Sequence, residues 1–428
     1  MRGATVPAFL VIGTPGDRRT ELFAAACRAS GLPEPRVVPW TDVLRATRDP
    51  LAGAAAHLDV TDTLVRIDSP GEDANVDALL RGPGNPARVG GGARWYRTFV
   101  QALTRIRADA QRRGARLVGD VDDIAVMFDK RLCHARLQAA GVPVPDALPP
   151  VDGYAQLRDR MAEAGMRRVF VKPAHGSSAS GVIALQTAPG GRIKAVTSAA
   201  RTPDGYVNSL RVRSYETERD VAHLVDTLAP DGLHVERWFP KAAVNGRVFD
   251  LRVVVIAGEP THAVVRMSRS PMTNLHLGGA RGDLEAVRRA LGEHGWRRAL
   301  DVCAQAAACF PGSGMVGVDL MVGIGWREFA VAEVNAFGDL LPRLTGLPGT
   351  FAEGLDTYAA QVRAALARPS ATPHDAAGSG GPSEDTTARG ARTAGTEGER
   401  DVSGRDVHEA DQGRPVAPMH GEVSACAT

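Results

Sequence analysis

Two runs of alternating apolar residues in the last third of the chain predict a β-hairpin. The apolar positions of these runs are Val316, Val318, Leu320 and Val322, followed by Ala330, Ala332 and Val334. Glycines interrupt the pattern between the runs, and a turn there sets Asp319 opposite either Val331 or Glu333. Both registers place Asp319, Glu333 and Asn335 on one face, because side chains two residues apart in a strand point the same way.

That face would present two carboxylates and one amide oxygen. Hard cations prefer such oxygen ligands, and a set this small suits Mg²⁺, which keeps several waters and completes its shell with substrate phosphates. We therefore predict a metal site at Asp319, Glu333 and Asn335, with Mn²⁺ as the alternative cation. A solvated polar face of an ordinary hairpin is the other interpretation of the same pattern.

Composition narrows the class of protein. The chain has 428 residues, of which 44% are hydrophobic and 23% charged, so it is long enough for two or three soluble globular domains. A net charge of +2, without a basic block, gives no indication of nucleic-acid binding. The five cysteines are scattered and lack CxxC spacing, which favours a reducing, cytoplasmic location. No apolar run approaches the roughly 18 residues of a membrane span.

The first part of the chain alternates predicted strands and helices. A buried strand at 9–14 precedes a helix at 18–30, and further strands near 36–40 and 63–67 each lead into a helical stretch. Such alternation predicts a parallel, doubly wound sheet over residues 1–122, in an α/β protein.

The end of the chain has a different composition. From Ser370 onward, the sequence consists mainly of small, polar and acidic residues without apolar periodicity. We expect residues 369–428 to form a disordered tail, because they cannot bury enough apolar surface to offset their ordering entropy.

Lysine is rare here and occurs in informative places. Only four of the 51 basic residues are lysines, and two of them, Lys130 and Lys172, begin a predicted helix and end a predicted strand. The small residues that follow Lys172 are Gly176, Ser177, Ser178, Ser180 and Gly181. A strand lysine followed by such a loop can hold nucleotide phosphates, although the order is not that of a Walker A motif. Ordinary surface charges and a flexible hairpin tip are the alternative.

Other polar residues cluster between these segments. Glu236, Arg237 and Trp238 end a predicted strand, where backbone groups and aromatic surface could border an adenine. Asp250 and Arg252 share one face of the next long strand, so one could accept a ribose hydroxyl and the other could bind a phosphate. A simple surface ion pair would give the same spacing. Downstream lie further polar residues and a glycine turn, namely Arg266, Thr273, Asn274, His276, Gly278 and Gly279.

The order of these motifs resembles the ATP-grasp superfamily, and most closely its RimK-like amino-acid ligases. The similar segments are Asp129-Lys130 before a helix and GVPVP, then VKP with the Gly-Ser loop, VERW, DLR, Asp319 and EVNA. The similarity covers about residues 115–365, and residues 1–122 resemble the pre-ATP-grasp domain. The resemblance implies an ATP-grasp domain at 123–368, with a lid subdomain at about 145–235 and a metal-bearing subdomain at about 236–368.

The resemblance also implies roles for the residues above. Lys130, Lys172 and Asn274 would contact ATP phosphates, Ser177 to Gly181 would form a flexible lid, Glu236 to Trp238 would border the adenine, and Asp250 would lie near the ribose. Asp319, Glu333 and Asn335 would hold two Mg²⁺ ions, with Glu333 bridging them.

The implied activity is carboxylate activation by ATP through an acyl phosphate, followed by attack of an amine to form a C–N bond. The partners would be a small-molecule or peptide carboxylate and an amine. Arg252 is the candidate for stabilising the transferred phosphoryl group, and Arg266 and Arg343 are candidates for binding a substrate carboxylate. A kinase acting on a hydroxyl and a non-catalytic ATP-binding partner protein are the alternatives.

The sequence departs from the ligase pattern after Asn335. Residues 336–343, AFGDLLPR, stand where those ligases usually carry a Ser-Pro-Gly-like turn, and this segment should line the acceptor site. The identity of the acceptor therefore stays open, as does the oligomeric state, for which a homodimer is one option.

Overall fold

The computed structural model describes residues 7–55, 63–71, 73–177, 179–338 and 344–367. Among the residues singled out above, Ser178, Arg343 and the predicted tail at 369–428 lie outside these described ranges.

The first part of the chain forms a parallel sheet flanked by helices. Its strands are β1 (Ala8–Gly13), β2 (Arg36–Pro39), β3 (Thr63–Ile67) and β4 (Arg116–Leu117), in the order β2-β1-β3-β4. Its helices are α1 (Arg18–Ala29), α2 (Trp40–Arg45), α3 (Ala52–Ala55), α4 (Ala74–Arg81) and α5 (Gly92–Arg112). The predicted first strand and helix are thus confirmed, and Asp17 caps α1 by accepting a hydrogen bond from the backbone N–H of Arg19.

Both faces of this sheet are covered, which confirms the doubly wound arrangement. Leu10, Ile12 and Val65 pack on one face, in a cluster with residues of α5. Phe9, Val11 and Leu64 pack on the other face against α1 and against the last described helix, Thr357–Ala367. Successive residues of each strand alternate between the two clusters, as expected for a strand that is buried on both sides.

Three helices lead from the first sheet into a second, antiparallel one. They are α6 (Val121–Phe128), α7 (Lys130–Ala139) and α8 (Tyr154–Glu163). The strands are β5 (Arg168–Pro173), β6 (Ile183–Ala188), β7 (Arg192–Thr202), β8 (Gly205–Tyr215) and β9 (Leu233–Arg237), in the order β8-β7-β6-β5-β9, with α9 (Glu218–Leu228) before β9. One core joins α8 and α9 to a single face of this sheet, with Leu157, Val171 and Leu224 at its centre.

A third sheet, also antiparallel, carries the predicted hairpin. Its strands are β10 (Ala243–Val244), β11 (Arg247–Ile256), β12 (Glu259–Ser268), β13 (Ala280–Arg281), β14 (Met315–Val322) and β15 (Phe329–Asn335), with the path β13-β12-β11-β14-β15 and β10 paired to β11. Helix α10 (Leu284–Ala308), kinked at Gly292, covers one face, and α11 (Thr357–Ala367) is the last helix. The α/β class predicted from the sequence is confirmed. In the part of the chain that the structure describes, none of the helices has the length and apolarity needed to cross a bilayer.

Candidate active site

A cavity of about 590 Å³ is lined by residues of the second and third sheets and by segments that flank the first sheet. Most of the predicted site residues line it, namely Lys130, Lys172, Gly176, Ser177, Ser180, Glu236, Asp250, Arg252, Arg266, Asn274, Asp319, Glu333 and Asn335. Its volume falls within the range of about 300–1,000 Å³ that is usual for ligand pockets. Gly181, Arg237 and Trp238 do not line it.

The strands of the hairpin pair in one of the two predicted registers. Asp319 pairs with Glu333, and the register shifts beside Asp319 so that Ala332 has no cross-strand partner. The predicted alternation in the second strand is therefore wrong near this bulge, since Val331 packs in the core and Ala332 lines the cavity. The amide nitrogen of Asn335 donates to the backbone oxygen of Gly317 at 3.3 Å, which fixes the orientation of that side chain.

Asp319 is buried between two arginines. Arg252 donates to it through Nε and, at 3.2 Å, through Nη2, while Nη2 of Arg266 lies 2.9 Å from its Oδ2. Burial alone would raise the pKa of Asp319, but the two guanidinium groups outweigh this effect and lower the pKa to about 2. The carboxylate is therefore ionised at neutral pH.

Glu333 faces the first of the two predicted lysines. Nζ of Lys130 lies 3.1 Å from Oε1 of Glu333 and donates to the backbone oxygen of Gly176 at 2.7 Å. One ammonium group thus connects the hairpin to the glycine-serine loop. Asp129 begins helix α7 as its N-cap, which sets the position of the lysine that follows.

The three oxygen-bearing side chains fit a divalent cation that keeps part of its water shell. Among the described residues, no group of three or more His, Cys, Asp or Glu side chains is arranged to hold a metal ion. Asp319, Glu333 and Asn335 supply only two carboxylates and an amide. Such a sparse donor set matches Mg²⁺, which takes few protein ligands, better than Zn²⁺ or Ca²⁺.

Lys172 is held in the wall of the cavity by Glu236. Its Nζ lies 2.6 Å from Oε1 of Glu236. The same Nζ donates to the backbone oxygen of Ala332 at 3.3 Å, and Ala332 is the residue that the bulge leaves without a cross-strand partner. Oε2 of Glu236 lies 3.1 Å from Nε2 of His234. Although burial would raise the pKa of Glu236, Lys172 and His234 lower it to about 2.

The glycine-serine loop is anchored at both ends. The N–H of Ser180 donates to the oxygen of Ser177 at 3.0 Å, and the N–H of Gly181 donates to the hydroxyl of Ser198 at 3.3 Å. A Cβ at Gly181 would lie 2.4 Å from the side chain of Val89, so this glycine packs against a neighbouring loop instead of facing the cavity. The backbone just before the loop is also closely packed. A Cβ at Gly92, the first residue of α5, would lie only 2.9 Å from the backbone oxygen of His175.

Two of the residues predicted to border the adenine lie behind the wall of the cavity. Nε of Arg237 donates to Asp146 at 3.0 Å on the surface. The ring of Trp238 packs 5.1 Å from that of Phe170, which does line the cavity. Only Glu236 of this trio lines the cavity. Arg237 points away from it, because neighbouring residues of a strand point to opposite sides, and Trp238 lies beyond the end of β9. The apolar residues that line the same region are Phe170, Val182, Met272, Leu275 and Met321.

Asp250 and Arg266 pair directly across β11 and β12. Nε of Arg266 donates to Oδ1 of Asp250 at 2.7 Å, and the hydroxyl of Thr273 donates to the same carboxylate. With Nη2 also shared between Asp250 and Asp319, Arg266 is positioned to orient these carboxylates. Asn274 begins a short 3₁₀ turn, where its Oδ1 accepts the N–H of His276 at 2.8 Å.

Lys241 is a site residue that the sequence interpretation missed. It lines the cavity, and its Nζ donates to the hydroxyl of Thr273 at 3.0 Å. Burial lowers the pKa of Lys241 to about 8, against the opposing influence of Asp250. The scarcity of lysine in the chain was the one signal that could have identified it.

The N-terminal sheet contributes a second group of missed residues. Asp17, Arg18 and Arg19, from the start of α1, and Ser69 and Gly71, from the loop after β3, line the same cavity. These loops follow adjacent parallel strands, so they meet at one edge of the sheet.

Comparisons with known proteins gave structural matches only. No protein-family model and no curated protein matches the chain. Among solved structures, D-cycloserine synthetase DcsG is 17% identical with a TM-score of 0.49, covering 83% of this chain and 98% of that one. The ATP-grasp ligase PsnB, complexed with a minimal precursor, is 16% identical with a TM-score of 0.46, covering 85% and 99%. D-alanine–D-alanine ligase from Bacillus anthracis, complexed with ATP, is 13% identical with a TM-score of 0.45, covering 85% and 96%. All three scores are below 0.5, so any functional assignment has to rest on the geometry of the site itself.

Proposed function

We propose that this protein is a Mg²⁺-dependent, ATP-grasp carboxylate–amine ligase of the RimK-like branch. The observation that carries the proposal is that two lysines, Lys130 and Lys172, and three oxygen ligands, Asp319, Glu333 and Asn335, all line one cavity. Cations and metal ligands that line one cavity of this size can bind a nucleotide triphosphate together.

The lining supports one orientation of the nucleotide. The apolar surface of Phe170, Met272 and Met321 suits an adenine ring, while Lys130 and Lys172 suit the phosphates. Backbone N–H groups of the glycine-serine loop would cover the outer phosphates. Mg²⁺ held by Asp319, Glu333 and Asn335 would neutralise charge on the phosphate oxygens, and two ions with Glu333 between them is the arrangement we propose.

The proposed chemistry needs positioning and positive charge, not a protein nucleophile. An oxygen of the substrate carboxylate attacks the γ-phosphorus, the bond to the β,γ-bridging oxygen breaks, and ADP leaves with that electron pair. The amine nitrogen then attacks the acyl carbon, inorganic phosphate departs, and the nitrogen loses a proton. Arg252 lies beside Asp319, where it can stabilise the transferred phosphoryl group and the acyl phosphate.

The cellular location forms part of the proposal. Within the described residues, Cys27, Cys133, Cys303 and Cys309 are all free thiols. Unpaired cysteines are typical of a reducing compartment, and we propose the cytoplasm.

A metal-dependent nucleotide-binding measurement tests the site. Wild-type protein should bind a nonhydrolysable ATP analogue in the presence of Mg²⁺ and lose most of that affinity in EDTA. Glu333→Gln should weaken Mg²⁺-dependent binding on the order of tenfold or more, because a hydrogen-bonding amide replaces a charged ligand. Glu328→Gln is the matched control, since Glu328 is an exposed carboxylate in the turn of the same hairpin.

Product analysis separates the ligase from its alternatives. We expect ADP release that needs both a carboxylate and an amine, with hydroxylamine trapping the acyl phosphate as a hydroxamate. ADP release with a phosphorylated hydroxyl product would identify a kinase instead. Equal binding in wild type and Glu333→Gln, with or without Mg²⁺, would refute the metal site.

A further inference from the structure

We infer that the acceptor carries a second anionic group, a carboxylate or a phosphate, in addition to the carboxylate that is activated, and that Arg18 and Arg19 bind it. The inference rests on the proposed function and assigns the substrate class for the same cavity. Its starting point is that both arginines, at the start of the first helix beside the N-terminal sheet, line the same cavity as the hairpin proposed to bind the metal.

The topology of the N-terminal sheet places these arginines at a ligand-binding crevice. β1 has β2 on one side and β3 on the other, so the chain leaves β1 in one direction and returns to its opposite side. In doubly wound sheets, ligands bind beyond the carboxyl ends of the strands at such a switch point. The start of α1, after β1, supplies Arg18 and Arg19, and the loop after β3 supplies Ser69 and Gly71.

The charges at this end of the cavity favour an anion. In the described part of the chain, neither Arg18 nor Arg19 forms an ion pair, whereas Lys130, Lys172 and Arg266 are each matched by a carboxylate. Asp17, the residue before them, already caps α1, because its Oδ1 accepts the N–H of Arg19 at 2.7 Å. An arginine pair without carboxylate partners is suited to a carboxylate or phosphate, which guanidinium groups bind with two parallel hydrogen bonds.

One short segment connects the two ends of the proposed acceptor site. Nη1 of Arg19 donates to the oxygen of Phe337 at 3.4 Å. Nη1 of Arg252 donates to the oxygen of the next residue, Gly338, at 3.5 Å. A molecule lying along Phe337 and Gly338 would therefore present one end to Arg252 and the metal ligands and the other end to Arg19. A single carboxylate on a short apolar chain would leave the second end unsatisfied.

Isothermal titration calorimetry tests the inference on the full-length protein loaded with Mg²⁺ and a nonhydrolysable ATP analogue. The probes are succinate and glutarate, their monocarboxylate counterparts butyrate and valerate, and 3-phosphonopropionate. We expect at least one of the dianions to bind about tenfold or more tightly than the matched monocarboxylate. A difference of that size in Kd is what hydrogen bonds to one additional charged group contribute. Preference for the phosphonate over succinate would identify the second group as a phosphate, and the reverse would identify a carboxylate.

Variants separate this inference from the proposed function. In the double variant Arg18→Ala/Arg19→Ala, we expect the dianion to bind no more than about twofold better than the monocarboxylate, while the ATP analogue still binds. Arg28→Ala is the matched control, since Arg28 lies on the same helix, pairs with Glu34 at 2.6 Å and does not line the cavity. Retention of the dianion preference in the double variant, or no binding of any dianion to the nucleotide-loaded protein, overturns the inference. Failure of the wild type to bind the analogue would refute the proposed function, and the inference with it.

Discussion

Arg252 lies directly opposite Asp319 in the register of β11 and β14, and its guanidinium donates to that carboxylate through both Nε and Nη2. Two neighbouring strands therefore hold a cation in contact with a carboxylate that we propose as a metal ligand. The pair keeps Asp319 charged, and it keeps Arg252 pointing into the cavity where we propose that phosphoryl transfer takes place.

Removing Arg252 should abolish ATP turnover while the fold persists. Arg252→Ala takes away one of the two guanidiniums that lower the pKa of Asp319, and it removes the proposed stabiliser of the phosphoryl group. We expect turnover to fall by about two to three orders of magnitude. Asp319→Asn and Glu333→Gln should have equally severe effects.

The measurement is ADP release at saturating ATP, accompanied by circular dichroism as a check of folding. Arg247→Ala serves as the control, because Arg247 begins the same strand and does not line the cavity. Turnover like that of the wild type in all three site variants would refute the site.

Lys241 should give ATP binding a pH dependence in the alkaline range. With a pKa lowered to about 8, Lys241 is charged below that pH and neutral above it, so attraction to phosphates weakens as the pH rises through 8. We expect the KM for ATP to increase between about pH 7 and 9. In Lys241→Arg, which stays charged, the increase should disappear.

The same shift affects stability with a definite sign. Since the folded-state pKa of Lys241 lies below the ordinary value of 10.5, the unfolded chain binds more protons between about pH 8 and 10.5, and the contribution of this group to stability rises over that window. Lys194→Met is the control for this effect on stability, because Lys194 is an exposed lysine on β7.

For ATP binding, a pH profile of KM that is the same in Lys241→Arg as in the wild type would contradict the role assigned to Lys241.

The buried pair of Lys172 and Glu236 should stabilise the fold down to low pH. The pKa of Glu236 is lowered from 4.5 to about 2, so the contribution of the pair is complete above about pH 4.5 and is lost as the pH falls toward 2. Glu236→Gln leaves a buried ammonium without its counter-charge, and we expect a loss of about 3 kcal/mol near neutral pH.

Urea denaturation as a function of pH measures this effect. The exposed pair of Lys194 and Glu216, at 2.8 Å, provides the comparison, and Glu216→Gln should change stability by no more than about 0.5 kcal/mol. If both glutamine variants lost the same amount at every pH, burial of the first pair would not have the proposed importance.

Gly92 should control the position of the glycine-serine loop. A methyl group at this position would lie 2.9 Å from the backbone oxygen of His175, which cannot rotate away as a side chain could. We expect Gly92→Ala to destabilise the protein by about 1–3 kcal/mol or to displace residues 174–177, with a higher KM for ATP. Gly53→Ala is the control, because a Cβ at Gly53 meets nothing within 4 Å. An unchanged KM and unfolding midpoint in Gly92→Ala would argue against this role.

Features encoded by local periodicity were predictable from the sequence. The hairpin and the shared face of Asp319 and Glu333 follow from alternation in two short runs, and the start of α1 follows from Asp17 as a cap. The bulge at Ala332 was not predictable, because an extra residue in a strand changes no local propensity enough to reveal itself. As a result, the positions from Ala330 to Ala332 were assigned to the wrong faces, whereas those from Glu333 to Asn335 were assigned correctly.

Contacts between distant segments were out of reach. Asp250 and Arg266 were each identified as polar site residues, but their pairing depends on the register of β11 and β12, which the sequence does not specify. Arg19 and Phe337 are 318 positions apart, so nothing local connects them. Trp238 was expected to border the adenine, but it follows the last residue of β9, and its ring packs against Phe170 without lining the cavity.

The last described helix, α11, packs against the helix that carries the arginines of the proposed acceptor site. Phe23, Ala26 and Cys27 of α1 pack with Tyr358, Val362 and Ala365 of α11 beneath the N-terminal sheet. Hence the helix that carries Arg18 and Arg19 is buttressed by the last described helix, so the proposed acceptor site depends on packing between opposite ends of the described chain.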